Sequence, residues 1–208
     1  MTEIDILKKN LCQLMRDLYQ DKILTDIGGN LSIRDPDEEV IWITPSGLQK
    51  NLVNPNDLIK IDYSGKVLFN ESKREPSIET PMHVAIYKEE EDFKAIIHSH
   101  APYATAYSLV KNPPKMPLLT AELSFLIPEV VVVPYKRSGS VELGEDVADA
   151  LIDSGIVILE NHGVVAAAES LETAAHKTRA LEECLRLYVI ANQFGKELRP
   201  FTEFGDFE

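Results

Sequence analysis

The sequence predicts one α/β domain over residues 1–208: a three-layer α/β/α arrangement whose largely antiparallel or mixed central sheet is covered by helices. Three observations carry this expectation. Apolar residues recur at three- and four-residue spacings in several segments, the period of a helix with one buried face. Short β-rich runs lie between them, and several are joined by turns too short for the crossover that parallel pairing demands. The composition, 208 residues with 44% apolar and 26% charged, suits a single core, and no repeat, low-complexity tract or linker divides the chain.

The first helix places Ile4, Leu7, Leu11, Leu14 and Leu18 on one stripe, with Thr2 as N-cap. Gly28-Gly29-Asn30 breaks the pattern and leads into a strand over Asn30–Arg34. A second strand, Val40 to Thr44, ends at the turn Pro45-Ser46-Gly47. Asp57 to Asp62 and Lys66 to Phe69 flank Tyr63-Ser64-Gly65 as a hairpin. Thr80-Pro81 reads as an N-cap followed by proline at the first helical position, opening a helix through Met82, Ala85 and Ile86. Strands follow at Ala95 to His100 and Val130 to Val133, with a helix from Pro102 to Val110 between them. Leu143, Val147, Ala150 and Leu151 mark a helix starting near Ser140 and ended by Gly155. Ile156 to Leu159 and Val164 to Ala168 are β runs joined by Glu160-Asn161-His162-Gly163. A last helix starts near Ser170, carries Leu171, Ala175, Thr178, Leu181, Leu185 and Tyr188, and ends at Gly195.

Charge and composition exclude several function classes. Twenty-one Lys and Arg against 34 Asp and Glu give −13, and the pI near 4.8 makes a nucleic-acid partner a poor expectation. An anionic substrate must then be held by local groups against the global field. No run approaches the ~20 apolar residues of a membrane span, so no membrane partner is expected. The opening MTEIDILKKN is charged and lacks a long apolar stretch, which reads as a cytoplasmic protein without a signal peptide. Cys12 and Cys184 lie far apart in helical patterns and read as core residues rather than a disulfide. No G-x-G-x-x-G follows a strand and no G-x-x-x-x-G-K-S/T occurs, which removes the common nucleotide-binding readings.

Two of the five histidines form His98-Ser99-His100. On a strand, residues i and i+2 share a face, so both imidazoles point the same way from a rigid support. Spacing alone leaves a metal pair and a chance pair about equally open. His162 sits in a turn between two apolar runs, and by itself is either a hydrogen-bonded turn histidine or a third ligand. Three imidazoles from two loci would leave zinc an open position for substrate, the arrangement of catalytic sites. His83 and His176, on helices beside charged residues, read as surface groups or as supports of the site. The continuation His98-Ser99-His100-Ala101-Pro102-Tyr103 lacks the H-x-H-x-D-H of metallo-β-lactamases, and the chain is short for an amidohydrolase barrel. Glu79 precedes a helix start between Pro76 and Pro81; without a metal it reads as a carboxylate favouring the helix dipole.

The segments Gly28-Gly29-Asn30-Leu31-Ser32, Ile43-Thr44-Pro45-Ser46-Gly47, Pro76-Ser77-Ile78-Glu79, His98 through Ala106 and Asn161-His162-Gly163, in that order, resemble the class II aldolase (AraD-like) family. The resemblance spans roughly residues 5 to 190. It implies that His98, His100 and His162 hold a divalent metal, zinc (Zn2+) or another, and that Glu79 is the acid/base. It implies a phosphate or polar-substrate pocket from Gly29, Asn30, Ser46, Gly47 and Ser77. The reaction implied is reversible cleavage of a small keto-sugar phosphate through an enediolate, in a homotetramer. The same family holds epimerases, dehydratases and decarboxylases, together with the metal-free adducin head, a non-catalytic interaction module. Two departures keep the reaction open. Ile78 stands where the aldolases commonly have a second phosphate-binding serine, and residues 118–123 carry Glu122 but no tyrosine.

Overall fold

The strand Ala95–Ser99 shows how the layers arise. All five residues are buried, but alternate ones join different cores: Ala95 and Ile97 pack on one face of the sheet and Ile96 on the other. A strand buried on both faces must be covered on both faces. The computed structural model, which describes residues 2–113, 116 and 130–199, meets that demand with five helices among the described residues.

Eight strands, β1 (Asn30–Arg34), β2 (Ile41–Ile43), β3 (Ile59–Ile61), β4 (Val67–Phe69), β5 (Ala95–Ser99), β6 (Val131–Val133), β7 (Ile156–Leu159) and β8 (Gly163–Ala168), form one sheet. Their order is β4-β3-β2-β1-β5-β8-β7-β6. Every pair is antiparallel except β6 with β7, which is parallel. Helices α1 (Glu3–Gln20), α3 (Pro102–Ser108) and α5 (Leu171–Asn192) cover one face; α2 (Thr80–Glu89) and α4 (Val141–Leu151) cover the other. The first core joins Leu11, Met15 and Leu18 of α1 to Leu31, Ile97 and Ala166. The second joins Met82 and Ile86 of α2 and Val147 of α4 to Ile43, Ile96 and Val165. No helix among the described residues is long and apolar enough to cross a membrane.

The local differences from the sequence expectations have physical causes. Helix α1 starts at the Thr2 cap, reinforced by Asp5, but Cys12 and Met15 share its buried face while Leu7 and Leu14 are only half-buried. Glu79 rather than Thr80 is the N-cap of α2, because the turn begins earlier: the Thr80 amide and hydroxyl both donate to the Ser77 carbonyl. The apolar β6 is an edge strand, and its Val131 is 41% exposed. Glu122 and the surrounding stretch 118–123 lie outside the described residues.

Sheet pairing positions the chemistry. Asn30 of β1 is the cross-strand partner of His98 of β5, and β5 in turn pairs with β8. By the period of two, Asn30, Ser32 and His98 all project to the α2 face, where Glu79 and His83 arrive from the helix start.

Candidate active site

His98 is fully buried, and its Nδ1 lies 3.0 Å from the Val164 carbonyl. A carbonyl only accepts, so Nδ1 carries the proton and the Nε2 lone pair faces inward, as a metal-ligating imidazole requires. His100 follows at the strand end, and its Nε2 stands 3.1 Å from His98 Nε2. His162 comes from the β7–β8 turn, where Asn161 takes a positive φ of 54° and the His162 amide donates to the Leu159 carbonyl. Asparagine tolerates that conformation better than most residues. Ring centroids lie 4.9 Å apart for His98–His100, 4.8 Å for His98–His162 and 5.4 Å for His100–His162.

The donor set fits a divalent cation. One nitrogen from each imidazole lies within 4.8 Å of the others. Tetrahedral ligands at about 2.0–2.1 Å from zinc stand about 3.3 Å apart, so small side-chain shifts close the cluster. Burial pushes the His100 imidazole down to about 4 and lowers that of His162, helped by the neighbouring His98. Both are therefore neutral at pH 7, the form that ligates.

Glu79 faces this cluster at 5% exposure. Its Oε2 lies 3.0 Å from His98 Nε2, and its Oε1 lies 3.3 Å from His162 Nε2. Burial alone would raise this carboxyl, but positive charge at the His98 and His162 imidazoles, which a cation bound between them would supply in place of protons, and the Asn30 amide outweigh it and hold it well below the usual carboxylate range. Its Oε2 accepts a 2.8 Å hydrogen bond from Asn30 Nδ2, whereas Oε1 is buried without a hydrogen-bond partner among the described residues. Buried polar atoms are seldom left so, and this one lies beside the His162 imidazole.

Behind Asn30 runs a chain of hydrogen bonds with one possible direction. Ionised Glu79 only accepts, so Asn30 presents its NH2 there and its carbonyl oxygen to His83 Nε2, 2.5 Å away. His83 therefore donates from Nε2 and accepts at Nδ1 from the Ser32 hydroxyl at 2.7 Å, which in turn accepts from the Tyr87 hydroxyl at 2.9 Å. His83 is a fully buried support of the site, not a surface group; His176 is exposed. Burial pushes the His83 imidazole down to about 3. The unfolded chain thus binds a proton that the folded one refuses between about pH 6.5 and 3. Stability is complete above that window and falls as pH drops through it, by about 1.4 kcal/mol per pH unit for this one proton. Urea unfolding of chelated protein at pH 7, 6 and 5 checks this: H83Q, which cannot titrate, shows a shallower loss than wild type.

A cavity of about 460 Å³ opens beside the cluster, lined by Gly29, Asn30, Ser46, Gly47, Ser77, Glu79, His100 and His162 among others. Its volume suits a small ligand. The structure thus brings together all the sequence-predicted site residues, with His98 in the wall behind. Asn30 is shared between the cavity and Glu79, and the Ser77 hydroxyl accepts from the Glu79 amide. A larger cavity of about 550 Å³ lies by α2 and α4, but no imidazole lines it. Sequence reasoning missed Lys50, which also lines the site cavity, and the Ser32–His83–Tyr87 chain. A signal for His83 existed: α2 buries Met82, His83, Val84, Ile86 and Tyr87, apolar or bulky residues on most of its circumference.

A mixed sheet between helical layers, with three imidazoles meeting at one end of β5 and β8 before a buried carboxylate, defines a candidate metal centre. The chain belongs to the Class II Aldolase and Adducin N-terminal domain family, whose model matches residues 9–189. It is 36% identical over 187 residues to an L-fuculose phosphate aldolase of Methanococcus maripaludis, covering 90% of this chain and 98% of that one. It is 32% identical over 199 residues to a 3-oxo-tetronate 4-phosphate decarboxylase of Haemophilus influenzae, covering 94% of this chain and 92% of that one. A solved L-fuculose 1-phosphate aldolase superposes with a TM-score of 0.85 at 30% identity, covering 96% of this chain and 92% of that one.

Proposed function

We propose that this chain is a divalent-metal-dependent carbon–carbon lyase, zinc being the metal the imidazole set favours, that reversibly cleaves a small keto-sugar phosphate. The observation that carries the reading is the meeting of His98, His100 and His162 with the ionised Glu79 at 3.0 to 3.3 Å in the wall of one cavity. The aldolase names of its relatives support it.

A cation held by the three imidazoles supplies Lewis acidity toward a carbonyl and its neighbouring hydroxyl. The remaining work falls to the chain. In the condensation direction Glu79 takes a proton from the carbon beside the carbonyl, and Oε1, the oxygen with no hydrogen bond, is the one placed to accept it. The carbanion, delocalised as an enediolate, then bonds to the carbonyl carbon of an aldehyde, whose oxygen takes up a proton from water while Glu79 returns its own to solvent, so that no net proton is gained or lost. Cleavage runs the same steps backward. Asn30 holds Oε2 and so fixes which oxygen is free. Gly29, Asn30, Ser46, Gly47 and Ser77 offer neutral donors for the substrate's phosphate or hydroxyl groups. The homotetramer implied by the resemblance, and the cytoplasmic location expected from the charged opening residues, belong to the same proposal.

Removing the metal tests the reading. Chelation lowers turnover at least about a hundredfold, and added zinc or another divalent ion restores it. Turnover indifferent to chelation rejects it. A decarboxylase using the same chemistry is the second reading, favoured by the Haemophilus influenzae relative. Product analysis on a panel of keto-sugar phosphates and sugar acids separates the two: an aldehyde from the first, carbon dioxide from the second.

A further inference from the structure

Lys50 is a lysine in an unusual place. It opens a 3-10 turn, Lys50–Leu52, yet is only 2% exposed and lines the cavity that holds Glu79, His100 and His162. Among the described residues lining that cavity it is the only lysine or arginine. Its backbone is tied down through the Lys50 amide and the Asp26 carbonyl, but no hydrogen bond or ion pair holds its ammonium among the described residues. Burial pushes the amine down to about 8, with Glu79 pulling the other way, so at pH 7 it remains mostly cationic.

Burying an ammonium costs several kcal/mol unless an anion compensates it. Among the described residues lining the cavity Glu79 is the only carboxylate, and it is engaged by His98, His162 and Asn30. The other donors of the cavity, the Ser46 and Ser77 hydroxyls and the Gly47 amide, are neutral. In a chain of net charge −13 they alone would hold a dianion poorly. A largely buried lysine in the wall of a ligand cavity, with no anion bound to its ammonium among the described residues, is a charge waiting for its counter-ion there.

We propose that Lys50 is the charged contact for an anionic phosphate group of the substrate and the residue that makes this site select phosphorylated over neutral sugars. This rests on reading the cavity as a sugar-phosphate site, and the experiment separates the two. Full-length, zinc-loaded wild type and K50M are titrated calorimetrically with inorganic phosphate and, separately, with acetate, with metal content measured throughout. Methionine matches the lysine stem in volume, so K50M keeps its metal and melts at the same or a higher temperature in phosphate-free buffer. Phosphate binding weakens at least about tenfold, and the salt dependence of phosphate affinity flattens. KM for phosphorylated substrate rises, with a smaller change in kcat.

Equal phosphate affinity in wild type and K50M overturns the role of Lys50 and leaves the sugar-phosphate reading standing. A loss confined to acetate makes the site a carboxylate site and also overturns the proposal. Wild type that binds no phosphate overturns both the role and the phosphorylated substrate, whereas metal-dependent turnover of an unphosphorylated sugar would still uphold the lyase. Should K50M not fold, K50Q serves the same comparison.

Discussion

E79Q lowers kcat by about 10²- to 10⁴-fold while the protein keeps its metal and its fold. Glutamine has nearly the same shape, so the prediction turns on which end of its amide faces the cavity. Asn30 decides that. With the Asn30–His83–Ser32 chain kept in its wild-type direction, the Asn30 carbonyl stays on His83, its NH2 meets an acceptor, and the glutamine oxygen lies where Oε2 now lies. The glutamine NH2 then occupies the place of Oε1, the oxygen with no hydrogen-bond partner. An acceptor poised to take a proton becomes a donor at the same point. KM changes far less than kcat, because the donors for the substrate's anionic group are elsewhere. Steady-state kinetics with metal analysis and a melting curve check the prediction. E79Q retaining more than about a tenth of wild-type kcat would remove Glu79 from proton transfer.

What was readable in the sequence and what was not follow from the range of the interactions. His98 and His100 are two apart on a strand, and the period of two alone puts them on one face. The short turns at Tyr63-Ser64-Gly65 and Glu160-Asn161-His162 forced antiparallel pairing of their strands, which the sheet obeys. The parallel β6–β7 pair needed the α4 crossover between them, and order across the sheet, with β1 beside β5 and β5 beside β8, is set by contacts distant in the chain. No local pattern encodes those.

The support of the Glu79 carboxylate was hidden for the same reason. Ser32, His83 and Asn30 meet across separations of about fifty residues, and each is unremarkable where it stands in the chain. Lys50 was missed differently. A lysine in a turn-rich stretch reads as a solvated side chain, but Leu48 and Lys50 are both buried while Gln49 and Asn51 are exposed. That alternation exists in the burial and not in the residue types, because three polar residues follow Leu48 and a lysine's charge argues against an inward position.

G163A is expected to damage the site nearly as severely by geometry alone. Gly163 begins β8 directly after the ligand His162 and pairs with Leu159. A methyl group there would sit 2.3 Å from the Ser99 carbonyl oxygen and 3.0 Å from His100 Cδ2. The first of these is backbone between the two other ligands, so no rotamer change relieves it. The strands β5 and β8 must part at their paired ends, and His162 moves away from His98 and His100. Metal–ligand distances tolerate only about 0.2 Å, so zinc affinity falls by about tenfold to a hundredfold or more. Overpacking also destabilises the fold by about 1–3 kcal/mol. G47A is the control. A methyl group at Gly47 meets nothing within 4 Å, and the only cost is the positive φ of 67°. That costs about 1–2 kcal/mol and leaves the imidazoles where they are. Zinc titration followed by thermal melting separates the two cases: both variants lose stability, but only G163A loses metal. If G163A bound zinc as tightly as G47A, the close approach of β8 to Ser99 would not be what gathers the three imidazoles.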